Sequence, residues 1–306
     1  MLATSGGIFK ELTPRQAILL ADDKLKLIQT LQRAGVLRLR CKCSKCGDLM
    51  VMQRFESLED GYIWRCKKCK TRRSCRHESY FQNHKLPLSK AFLLIYFYLK
   101  YDKMLSKYIC EFVEVTENTM VDWGCYIRES ISHYFLETPL ILGQNHPVQI
   151  DESLFGGKMK YNVGNHCIHQ KSWVFGLVEE VTNLCVFWKV DDRRKETLFN
   201  VIKDHVVTGS TIKSDQFSSY QTLNVEGYSH LQVNHSVNFV SEEGVHTQLI
   251  ESHWGQLKEM LKIKRGTTAD HLAGYLDLYS FRCMAKYQNV SILDAFFQII
   301  QVNNHF

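Results

Sequence analysis

Two cysteine pairs near the start of the chain, Cys43-x-x-Cys46 and Cys66-x-x-Cys69, constrain its fold more than any other feature. Nineteen residues, 47 to 65, separate them, a spacing at which two tight knuckles bring four thiolates around one tetrahedral Zn²⁺. Gly47 follows the first pair, where a small residue suits the turn. The intervening LMVMQRFESLEDGYIWR reads as a hairpin turning near Glu59-Asp60-Gly61. The expected product is a zinc ribbon over residues 39–76. Cys41, Cys75 and His77 are near enough to substitute for a ligand, although the paired set is complete without them.

The eleven cysteines are an odd number, five of them lie between Cys41 and Cys69, and no cleavable hydrophobic leader is read ahead of them. That usage fits a reducing compartment, with metal binding rather than disulfides. Cys110, Cys125, Cys167, Cys185 and Cys283 stand singly and read as small buried apolar residues. The most apolar run, AFLLIYFYL from Ala91 to Leu99, is bracketed by Lys90 and Lys100. It falls well short of the roughly 20 residues of a membrane span, so a buried helix and no membrane association are expected.

With 45% hydrophobic and 23% charged residues, the 306-residue chain can bury a sizeable core and accommodate a catalytic domain plus a smaller module. A net charge of +6 favours a polyanionic partner without demanding one. The charge is locally concentrated, because Arg65, Lys67, Lys68, Lys70, Arg72, Arg73 and Arg76 crowd the ribbon beside Trp64. A solvated basic face is the plain reading of such a run; next to a zinc ribbon, contact with a phosphate backbone is the favoured one.

Residues 8 to 35 hold a helix-like stretch in which Leu19, Leu20, Ile28 and Leu31 recur, an N-terminal arm over 1–38. Helical text runs from Ser89 to about Leu136. Thr116 is a plausible N-cap that divides it into a short and a longer helix, the second carrying Met120, Trp123, Ile127, Ile131 and Phe135 on one face. This suits a DNA-binding helix-turn-helix over 85–138, with Asn118, Thr119, Asp122 and Arg128 facing outward, and equally an ordinary helical hairpin. Pro139, Gly143 and Pro147 then mark a boundary. Beyond it, the runs VQID, KSWVFGLVE, LCVFWKV, TIKSD and HLQV read as strands, and Arg194 to His205 and Thr247 to Lys262 as helices. An α/β domain with a mixed sheet is expected over 147–295.

Asp151 closes VQID and Asp215 closes TIKSD, so each is expected at a strand end, where short carboxylates on neighbouring strands share a metal site. Glu152 is the nearest rival to Asp151. Glu251 follows Asp215 after thirty-five residues, inside a helix whose buried stripe is Ile250, Trp254, Leu257 and Leu261. Lys258 lies seven residues on, almost two turns along the same line, with Gly255 between leaving room for a nucleic-acid strand. Asp191-Asp192, Glu179-Glu180 and Glu242-Glu243 read as solvated turn residues.

Taken in order, these strings resemble the Merlin superfamily of DNA transposases and its bacterial insertion-sequence relatives. The resemblance rests on Cys43-x-x-Cys46-Gly47, WRCKKCK, IDESLFGGKMKYN, IKSDQFSSY and HTQLIESHWGQLK. It implies an RNase H-like DDE domain behind a zinc ribbon, with Asp151, Asp215 and Glu251 matching the catalytic acids and Lys258 the lysine that often follows. It further implies two Mg²⁺ or Mn²⁺ ions at the acids, one structural Zn²⁺, a phosphate-neutralising role for Lys158, and recognition of terminal inverted repeats by a dimer or higher multimer. Nuclear residence follows for a eukaryotic host, cytoplasmic otherwise. A domesticated DNA-binding protein, a structure-selective nuclease and a ribbon serving protein contacts are the competing readings.

Overall fold

In the computed structural model, residues 7–156, 171–232, 247–264 and 267–302 are described. Lys158, Cys167 and Glu242-Glu243 lie outside them. The chain divides into two compact units, Met1–Ser130 with Gln288–Phe306, and Ile131–Tyr287.

The first unit begins with two helices where one stretch was expected, α1 (Pro14–Asp22) and α2 (Lys24–Arg33). Asp23 leaves helical geometry between them, and its carboxylate accepts from the Lys26 amide, which caps α2. Leu20, Ile28 and Leu31 are buried as their spacing implied, whereas Leu19 is exposed. The ribbon is a three-stranded antiparallel sheet, β1 (Met50–Arg54), β2 (Tyr62–Cys66) and β3 (Arg72–Ser74), in the order β1-β2-β3. The hairpin between β1 and β2 turns at Gly61, whose φ of 71° is one that glycine adopts without strain. Helix α3 (Leu88–Lys100) is buried on all sides, which explains its unbroken apolar text. Helices α4 (Ser106–Val113) and α5 (Glu117–Glu137) follow. The last helix, α9 (Ile292–Val302), returns to this unit: Phe297 packs edge-on to Phe9, and Asp294 accepts from the Phe9 amide.

The second unit is built on β4 (Val148–Phe155), β5 (Ser172–Glu179) and β6 (Cys185–Val190), paired antiparallel in sequence. Helix α6 (Lys195–His205) then crosses over to β7 (Thr211–Ser214), parallel to β4, and β8 (Ser229–Gln232) adds parallel to β7. The order β6-β5-β4-β7-β8 with this mix of directions is an RNase H-like sheet. Helices α7 (Gln248–Ile263) and α8 (Ala269–Tyr287) cover one face. Their Trp254, Leu257, Leu272 and Leu276 pack on Val174, Val178 and Phe187. The opposite face carries Phe175, on which Tyr220 stacks. Among the described residues, no helix is long and apolar enough to cross a membrane.

Candidate active site

Strand alternation decides which β4 side chains meet α7. Gln149, Asp151, Ser153 and Phe155 share one face, and α7 runs along it. The Ile250 amide donates to Gln149 Oε1 at 3.1 Å, Trp254 Nε1 donates to Asp151 Oδ2 at 2.9 Å, and Lys258 Nζ donates to Ser153 Oγ at 2.6 Å. The Lys258 ammonium also lies 5.5 Å from the centre of the Phe155 ring. Glu251, exposed, stands on this same helix beside Ile250.

Asp151 does not end its strand. It lies mid-way along β4, because pairing with β5 continues to Phe155, while the parallel pairing with β7 is seen only at Val148 and Gln149. Gln149 aligns with Lys213, and continuing that register by two residues brings Asp151 level with Asp215. Asp215 follows the last residue of β7 as expected, and its Oδ1 accepts from the Phe217 amide at 3.1 Å. Glu152 points to the other face, where the Tyr220 hydroxyl donates to it.

Burial raises the Asp151 carboxyl to about 6, and the charges of Asp215 and Glu251 push the same way; the Trp254 donor opposes them. Asp151 therefore senses both of the other acids, although among the described residues the three are not drawn within the 4.8 Å that ligand atoms of the ribbon cysteines keep. Burial, then Asp151 and Asp215, raise Glu152 to about 8, against the pull of Arg193. Neighbouring carboxylates are the hard oxygen donors that Mg²⁺ or Mn²⁺ takes.

Three contributors carry no signal in the sequence. Gly176, opposite Asp151 in the β4–β5 register, leaves the space that the Trp254 indole fills: a Cβ there would lie 2.7 Å from Trp254 Cζ2. Ser153 receives Lys258. Arg193, exposed, places its guanidinium 4.0 Å from the Trp173 ring and 5.0 Å from Phe217. Gly255 is exposed, with nothing within 4 Å of an added Cβ. The pair Glu179-Glu180 is not a solvated turn. Glu179 is buried and accepts from the Gly143 amide and the Thr182 hydroxyl, and Glu180 pairs with Lys213 at 2.8 Å. Asp192 does serve as a local cap, accepting from the Arg194 amide and Thr197.

In the ribbon, the sulfurs of Cys43 and Cys69 are 3.2 Å apart, Cys46 and Cys66 3.4 Å, and Cys46 and Cys69 3.7 Å. Gly47 and Lys70 both take positive φ, and their amides donate to Cys43 and Cys66, closing the two knuckles. Zn–S bonds of about 2.3 Å require sulfurs roughly 3.8 Å apart, so a small expansion fits zinc. Cys41 stands apart, its sulfur 3.7 Å from that of Met50, and Cys75 contacts Asp60. Among the described residues, neither they nor His77 join the four-cysteine group.

Of the basic run, Lys67, Lys68, Lys70 and Arg72 are exposed, and Arg65 and Arg73 half-buried. Arg76 is not part of that surface. It is buried, paired with Asp60 at 2.5 Å, and donates to the carbonyls of His84 and Leu86. Trp64 is likewise buried in the ribbon core.

Helices α4 and α5 meet at Glu114, which takes left-handed geometry, and Thr116 caps α5 by accepting from the Thr119 amide. Met120, Trp123, Ile127 and Ile131 are buried, Asn118 and Asp122 exposed, and Thr119 half-buried. Arg128 does not face outward. It is 6% exposed and donates to the Tyr98 hydroxyl at 2.6 Å. Gly124, one turn earlier, opens the space, since a Cβ there would lie 3.1 Å from Arg128 Nη1.

Residues 142–283 match the ISXO2-like transposase domain family. The matched span contains Asp151, Asp215, Glu251 and Lys258; the ribbon and the α4–α5 pair lie before it. An "Uncharacterized transposase-like protein" of Haemophilus influenzae is 29% identical over 103 residues, covering 34% of this chain and 80% of that relative. Both similarities are to transposase or transposase-like proteins, and the family match covers less than half of the chain.

Proposed function

We propose that the protein is a DDE-type DNA transposase, akin to the Merlin superfamily, that cleaves DNA at terminal inverted repeats and joins the ends to a target. The reading is carried by one arrangement. Asp151, level with Asp215 in the strand register, shares its β4 face with the helix that bears Glu251. That shared face also favours Asp151 over Glu152 as the first acid.

Divalent cations, when bound by Asp151, Asp215 and Glu251, would supply the Lewis acidity that stabilises charge at the scissile phosphate. The chain's own part is positioning. The Trp254 donor orients the Asp151 carboxylate, and the Phe217 amide orients Asp215. Lys258, tethered at Ser153 on the same face, offers a cation to a phosphate oxygen. Lys158 is proposed to assist. Lys67, Lys68, Lys70 and Arg72, with Arg65 and Arg73 flanking, contact the phosphate backbone through the zinc ribbon, and Asn118 and Thr119 at the start of α5 contact repeat DNA. Both element ends must be held together, so a dimer or higher multimer is proposed, nuclear where the host is eukaryotic.

The test is cleavage of DNA carrying the repeats by the natural chain and by Asp151→Asn. The variant is expected to bind the repeats with unchanged affinity and to cut nothing. Retained cutting would overturn the assignment of Asp151. Repeat binding with no cutting by either protein would favour a domesticated DNA-binding protein.

A further inference from the structure

The core of the second unit holds a polar group that the DNA chemistry leaves unused. Cys185 opens β6, His253 lies on the buried side of α7, and Cys283 sits near the end of α8. One ligand atom from each falls within 4.8 Å of the other two. Cys185 and His253 are buried and Cys283 half-buried, among Phe187, Trp254 and Leu276. The Tyr279 hydroxyl is 2.8 Å from His253 Nδ1.

Thiols are weak hydrogen-bonding partners, so they compensate poorly for taking an imidazole out of water. A soft or borderline cation compensates far better. Two sulfurs and a ring nitrogen are donors that Zn²⁺ takes, at about 2.3 and 2.0 Å, which sets ligand atoms roughly 3.3–3.8 Å apart. The three ligand atoms, all within 4.8 Å of one another, need only draw together slightly to reach such separations. A cavity of about 610 Å³, lined in part by Phe135, Leu136, Cys185, Trp188, Asp277 and Ser280, lies beside this group.

We propose that Cys185, His253 and Cys283 form a second zinc site, its fourth position filled by water or the Tyr279 hydroxyl, which staples α7 and α8 to the β6 edge of the sheet. The ion is structural, and it holds the helix that carries Glu251. Its chemistry is distinct from that of the acid site, which offers only oxygen donors. Metal content decides the matter without any DNA, so its outcome is independent of the transposase reading.

The full chain, purified under reducing conditions and supplied with Zn²⁺, is expected to hold about two zinc ions, one per cysteine group. X-ray absorption should then show about three sulfurs and one nitrogen or oxygen per zinc on average. Cys185→Ser and His253→Phe should each lower the content to one, and Cys43→Ser should remove the other. A single zinc with an all-sulfur shell in the natural chain would overturn the proposal, and because that readout needs no variant, misfolding of a mutant cannot mask it. So would a second zinc that survives Cys185→Ser, or a Cys185–Cys283 disulfide in place of metal.

Discussion

The indole of Trp254 donates to Asp151 across 2.9 Å, joining the middle of β4 to the helix that carries Glu251. That bond exists because Gly176 leaves its space empty for the ring. A residue that reads as core filler thereby fixes the orientation of the Asp151 carboxylate.

Trp254→Phe keeps most of the ring and removes the donor. A hydrogen bond to a charged acceptor is worth about 1.5–3 kcal/mol, so the cleavage rate at limiting Mg²⁺ is expected to fall roughly 10- to 100-fold. The Asp151 carboxyl, which the indole holds down, should also titrate higher. The acidic limb of the pH–rate profile is expected to move to higher pH; a fall in rate without that movement would make the indole a packing group only.

The two glycines of the site should answer oppositely. Gly176→Ala puts a Cβ against Trp254 and Phe187, and overpacking of this kind costs about 1–3 kcal/mol; urea titration reads it directly. Gly255→Ala meets nothing and should stabilise the helix by about 1 kcal/mol. If the bare backbone at Gly255 serves passage of DNA, cleavage declines in that variant while stability rises.

Burial holds Asp151 at about 6 and Asp277 at about 6. Both lie above the unfolded value near 4, so the native state binds protons more tightly than the unfolded chain. The corresponding stability is fully present below about pH 4 and is lost as pH rises through about 6. Glu152, at about 8 mainly through burial, extends the loss upward. Cation-free protein is therefore expected to melt lower at pH 8 than at pH 5. Asp277→Asn should flatten part of that slope, and Mg²⁺ should raise the melting temperature at pH 8 more than at pH 5. Equal stabilisation by Mg²⁺ at both pH values would contradict ionised acids as its ligands.

Removing one partner of the buried Arg76–Asp60 pair should destabilise the ribbon unit by about 3–5 kcal/mol. Lys67→Gln and Lys70→Gln, both exposed, should leave stability unchanged and each reduce the salt dependence of DNA binding by about one phosphate contact. Thermal unfolding and binding titrations at several salt concentrations separate the two classes.

The paired cysteines, the five strand runs and the helices around Glu251 were legible because each rests on local spacing. Arg128 misled for the opposite reason: its position on α5 says outward, and only Tyr98 from α3 and the gap at Gly124 turn it inward. The continuation of β4 past Asp151 depends on pairing with β5, and the ladder from Gln149 to Lys258 depends on α7 lying along that face. The trio Cys185, His253 and Cys283 spans almost a hundred residues of chain, and the two cysteines each read alone as core. What tertiary contact assembles leaves no periodicity to read.

The most direct measurement is cleavage and strand transfer on DNA bearing the flanking inverted repeats, with Mg²⁺ or Mn²⁺, comparing the natural chain with Glu251→Gln. Metal-dependent cutting at the repeat ends and joining to target DNA, both lost in the variant, is the predicted result. Undiminished cutting and joining by Glu251→Gln would contradict an active site built from Asp151, Asp215 and Glu251.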